Sequence, residues 1–154
     1  MEDTGLSLAA AIKDEITETF GKFEAQVAES RRFISEIAVP LLSELTRGLS
    51  ADGRGGADLY VDDGINHATI RFGGRPAVDS EPLVPPVLRL GVASDGTLSL
   101  VYSASWRGDT PKVEYFAASG DGPDSAERRL WLAVFLFVSG ADLDYRQRAL
   151  IGRT

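Results

Sequence analysis

Apolar residues recur at Ile16, Phe20, Phe23, Val27, Ile34, Ile37 and Leu41, in steps of four, three and four, with Ser30 in the one missing place. That spacing sets them on one helix face, a heptad seam of under four heptads. It predicts a helical segment from Leu6 to Leu49, with Thr4 or Ser7 placed to cap its start and Gly48 to end it. Two residues oppose a straight rod. Gly21 costs ~1 kcal/mol relative to alanine inside a helix. Pro40 lacks an N–H and clashes one turn back, so a kink or break is expected between Glu36 and Val39. The expected result is a long helix to about Ala38 and a short one from Pro40 to Arg47, with Pro40 in its first turn. A helix of ~30 residues is ~45 Å long, more than a small sheet covers. The excess length predicts pairing with a second copy through this arm. The competing solution folds the segment back on itself at Gly21 or Pro40.

Beyond residue 56 the period changes from helical to alternating. Strands are expected at Ala57 to Asp62, Ile65 to Phe72, Val87 to Ala93, Thr97 to Trp106 and Lys112 to Ala117. Asp63-Gly64 between the first two is a hairpin signal. Gly73 to Pro86 contains four prolines and reads as a long surface crossing. Burial of one face decides the third hairpin. A three-residue loop, Ser94-Asp95-Gly96, groups Leu88, Leu90 and Val92 with Leu98, Leu100 and Tyr102, and turns Arg89 outward with Thr97, Ser99 and Ser103. A two-residue loop would mix Arg89 with the leucines. The expectation is a five-stranded antiparallel meander with one wet face.

Nine consecutive apolar residues, Leu130 to Val138, form the densest apolar mass of the chain. The run is too short to span a bilayer, which takes ~20 residues. Asp124 with Glu127 resembles a capping box, and Gly140 stands where a left-handed C-cap belongs. A helix is expected between them, apolar around more than half its girth and so covered on several sides. Asp142 to Ile151 then forms a last short helix or a docked tail. The fold class is therefore α+β: a long N-terminal helix kinked or broken near Pro40, a five-stranded antiparallel meander, and a buried C-terminal helix on one sheet face. The chain is one domain overall, in which 1–49 is a helical arm, 50–56 a flexible linker, and 57–154 the sheet with its helix.

Charge and composition narrow the function by exclusion. The formal net charge is −7 and the pI about 4.7, which argues against nucleic acid and anionic membranes as partners and permits a basic protein. Without cysteine there is neither a disulfide framework nor a thiolate site. The acidic N-terminus lacks the basic segment of a secretory signal, so a cytoplasmic setting is expected.

No catalytic constellation emerges. His67 is the sole histidine, which excludes two-histidine metal sites, and no nucleophile elbow or phosphate loop is present. No metal and no cofactor is expected. Asp62-Asp63-Gly64 is explained as a turn, and Asp142 and Asp144 beside Arg146 and Arg148 as surface charge. A two-residue first hairpin would put His67 opposite Tyr60 on the outer face, flanked by Asp58, Asp62, Thr69 and Arg71. A three-residue loop would bury it beside Leu59. The first register segregates apolar residues better. Candidate binding residues are Tyr60, His67, Arg71 and Arg89, with Trp106 as a further aromatic whose alternation with Leu98 and Leu100 also fits the core. The pattern favours a non-enzymatic interaction protein of the adaptor, chaperone, antitoxin or immunity type, dimeric through its arm. The alternative is a small-molecule-binding domain or enzyme with a cleft between sheet and helices near Tyr60 and His67.

Overall fold

The computed structural model describes residues 3–51, 56–73, 84–106, 108, 110–120, 122 and 125–151. The chain has an α+β fold in two layers, a sheet with helices on one face. Helix α1 spans Asp3–Phe33, passes through a π-helical turn at Ile34–Ala38, and continues as α2, Val39–Ala51. Strands β1 (Ala57–Val61), β2 (His67–Phe72), β3 (Val87–Val92), β4 (Leu98–Ser103) and β5 (Lys112–Phe116) follow, and α3 (Ala126–Ile151) closes the chain. The sheet is antiparallel throughout, in the order β1-β2-β3-β4-β5.

Pro40 distorts the helix where its chemistry demands, but does not break it. In the π turn the Val39 N–H reaches back five residues to the Ile34 carbonyl, which gives the proline ring room where the tighter α-helical turn would not. Gly48 does not end α2, which runs on to Ala51.

The β3–β4 register follows the three-residue loop. Leu88 pairs with Tyr102, Leu90 with Leu100 and Val92 with Leu98, and Gly96 adopts φ +88°. The β1–β2 connection departs from both expected loops. Tyr60 pairs with Thr69, and Asp62 meets His67 across a four-residue loop, 63–66. The Asp62 carboxylate builds it, accepting the N–H groups of Asn66 at 2.7 Å and His67 at 2.8 Å. Four differs from two by an even number, so every side chain keeps its expected face.

The core lies between the sheet and the helices. Ala68, Ile70, Leu88, Leu90, Leu98 and Leu100 face Phe33, Ile34, Ala38 and Leu42 from one helical segment, and Leu130, Val134 and Phe137 from α3. The second half of the arm is thus part of the core. Val27, Ser30 and Ile34 from the seam all sit at the sheet, and Ser30 is fully buried, its hydroxyl donating to the Gly96 carbonyl at 2.7 Å.

Two expectations for the last helix change. Asp124 lies outside the described residues; within them the cap is Ser125, whose Oγ accepts the Arg128 N–H at 3.3 Å. Gly140 is no C-cap, because α3 continues through it to Ile151 without interruption. A Cβ there would stand 2.8 Å from the Ala104 Cβ, so this glycine exists for close approach of helix to strand. Nor is the helix covered on several sides. Ala126, Leu130, Ala133, Val134, Phe137 and Ala141 are buried, while Trp131, Leu132, Phe135, Leu136 and Leu143 remain 40% to 65% exposed. One sheet face, shared with the α1–α2 segment, covers only one side of α3.

Candidate interaction surfaces

Among the described residues three surfaces remain open. The first is the start of α1. From Ser7 to Ala25 every side chain is exposed, a free length of ~28 Å at 1.5 Å per residue. Leu8, Ile12, Ile16, Phe20 and Phe23 line one stripe of it at 37% to 62% exposure. Asp14, Glu15, Glu18 and Glu24 point elsewhere around the helix by their 100° spacing, and Glu18 pairs with Lys22 at 3.3 Å.

The second is the outer face of α3, Trp131 to Leu143. It begins at the same end of the molecule from which the arm leaves. Helix α1 meets the sheet at the β3–β4 turn through Ser30 and Gly96. Helix α3 starts where Arg129 lies over the Phe116 ring, 5.6 Å from its centroid, and Phe116 pairs with Leu98 just beyond that turn. From there α3 runs toward Ala104 and Trp106, where the Asp144 carboxylate accepts the Trp106 backbone N–H at 2.9 Å. Asp144, expected as surface charge, is a tie between helix and strand end.

The third is the open face of the sheet, and it gathers four of the five predicted site residues. Cross-strand pairing sets Tyr60 opposite Thr69, Thr69 opposite Arg89, and Asp58 opposite Arg71. The His67 ring lies 6.0 Å from that of Tyr60. Its Nδ1 is buried 3.3 Å from Asp62 Oδ1, without a well-formed hydrogen bond. The Asp62 carboxyl is held below its usual range, first by the His67 N–H it accepts and then, against the opposing effect of desolvation, by the Asn66 N–H and the His67 charge. All four residues lie across the sheet from the helices, not in a cleft between the two layers.

Trp106 does not join them. It is 1% exposed on the core side, its ring 6.4 Å from that of Phe72.

The row His67–Gly91–Ser99–Tyr115 crosses four strands and makes a hollow of about 350 Å³ beside Arg89. Gly91 and Ser99 form a low floor, and His67 and exposed Tyr115 form the walls. The described lining residues include no carboxylate. That Tyr115 and Gly91 share one row with His67 follows from the register across β2 to β5. Among the described residues no group of three or more potential ligands is placed to hold a metal ion, and no helix is long and apolar enough to cross a membrane. The chain matches no family model, no curated protein and no solved structure.

Proposed function

We propose that this chain is a non-enzymatic interaction module that works as a homodimer joined through the arm of α1. The observation that carries the reading is the five-residue apolar stripe from Leu8 to Phe23, 37% to 62% exposed among the described residues. In proteins most helical stability comes from packing an amphipathic helix by its apolar face rather than from propensity, and a second copy supplies that packing. Pairing by the apolar stripe leaves Asp14, Glu15 and Glu18 outward, where a basic partner protein suits both that face and the net charge of −7. The reading is that of an adaptor, chaperone, antitoxin or immunity type of module.

Mass in solution tests it. Sedimentation equilibrium is expected to give twice the chain mass, and Ile16→Asp with Phe20→Asp is expected to give a monomer of unchanged sheet content. A native chain that stays monomeric at high micromolar concentration refutes the proposal.

The hollow on the open sheet face supports a second reading, an anionic small ligand. Arg89 stands there with no acidic partner among the described residues, and the Ser99 and Tyr115 hydroxyls flank it. Calorimetric titration with small dicarboxylates and phosphates, lost in Arg89→Ala, tests this reading separately.

A further inference from the structure

We propose that the outer face of α3 is the seat for the arm of the second copy. This rests on the dimer proposed above and names the surface the arm meets. Among the described residues the chain carries two exposed apolar helical stripes. Leu8 to Phe23 spans fifteen residue steps, ~22 Å, and Trp131 to Leu143 spans twelve, ~18 Å. They match in length and in kind, with five large apolar side chains on each.

Area argues against the simpler pairing of arm with arm. A stable interface commonly takes about 20 to 30 residues from each side. An arm-to-arm contact uses one five-residue stripe per copy and leaves Trp131, Leu132, Phe135, Leu136 and Leu143 facing water. Reciprocal seating engages both stripes of each copy and doubles the apolar contribution, covering the two helical faces that would otherwise stay open to water. It is compatible with two-fold symmetry, since each arm meets the other copy's α3.

Placement in the fold allows it. The arm leaves the body at the β3–β4 turn, and α3 begins at that same end, with Arg129 near Phe116 and Leu98. A copy inverted end to end therefore lays its arm along α3 from its N-terminal end, antiparallel to it. Phe20 and Phe23 then approach Trp131 and Leu132, Ile16 meets Phe135 and Leu136 at mid-length, and Leu8 nears Leu143.

The absence of native cysteine makes the contact directly measurable. The full-length double variant Ile16→Cys with Phe135→Cys, treated with a short thiol-reactive cross-linker, is expected to give covalent dimer, and each single variant none. Phe135→Arg, at an exposed position, is expected to keep the fold by circular dichroism while weakening the dimer at least ~30-fold, the loss of one hot-spot side chain. Cross-linking of Ile16→Cys alone would show arm against arm and overturn the seat while leaving the dimer standing. So would a Phe135→Arg dimer of native strength alongside a monomeric Ile16→Asp/Phe20→Asp variant. A monomeric native chain overturns both.

Discussion

Ser30 interrupts the apolar seam of α1 for a reason that lies 66 residues away in sequence. Its hydroxyl donates to the carbonyl of buried Gly96 at 2.7 Å, at a packed crossing of helix and turn. Gly96 in turn sits at φ +88°, and a Cβ on it would come within 3.3 Å of Val27. The two residues fit one another as a pair. Ser30→Ala strands a buried acceptor and is expected to lower the free energy of unfolding, read from urea titration, by about 1–3 kcal/mol. A loss under ~0.5 kcal/mol, the range of ordinary surface changes, would contradict this role. The sequence displayed the vacancy at position 30 but not its cause, because Gly96 becomes a neighbour only after the sheet forms. The sidedness of His67 was legible for the opposite reason: an even change in loop length leaves alternation intact.

Between elements, the contact of α3 with the end of β4 depends on what is missing at Gly140. Glycine inside a helix costs ~1 kcal/mol relative to alanine, so propensity alone says Gly140→Ala stabilises. Packing says the reverse, since the new methyl would lie 2.8 Å from the Ala104 Cβ, a separation that forces helix and strand apart. Overpacking of this kind costs about 1–3 kcal/mol, and it wins. Gly140→Ala is therefore expected to lower the thermal midpoint. Adding Ala104→Gly removes the opposing methyl and should raise it again above the single variant. Losses that simply add would show that the two positions do not meet. The same glycine misled the boundary of α3 in the sequence, because a C-cap and a close-approach glycine look alike until the neighbour is known. Pro40 was read correctly as a disturbance; that a π turn absorbs it depends on Ile34 and Ala38 being held in the core on either side of the distortion.

For the molecule as a whole, acid should act first on the end where the arm leaves. Asp62 and Asp95 both sit in turns there, and α1 is tied to those turns by Arg31, which donates to Asn66 Oδ1 at 3.0 and 2.8 Å, and by Ser30. The Asp95 carboxyl is held low by the Thr97 hydroxyl and then by the Thr97 N–H. Both folded-state values lie below the ordinary aspartate value near 4, so their contribution is complete above it and is lost as pH falls through the depressed values. Urea midpoints measured from about pH 5 to about pH 2 should fall steadily for the native chain. Asp62→Asn with Asp95→Asn should start lower at neutral pH and fall less steeply. Identical slopes would show that neither carboxylate contributes.

By itself the sequence determined the local periods: helix to about residue 50, five alternating strands, the Ser94–Gly96 turn, and an apolar helix at the end. Each of these follows from interactions among residues close in the chain, or from the demand that one sheet face be buried. Tertiary structure alone decided which half of α1 finds cover, why Ser30 and Gly140 stand where they do, that Trp106 is core, and that Tyr115 and Gly91 join His67 and Arg89 around one hollow. It also decided that α3 keeps a naked face. Apolar periodicity records which side of a helix avoids water, but whether that side is covered by its own sheet or left for a second chain depends on what stands opposite it in space.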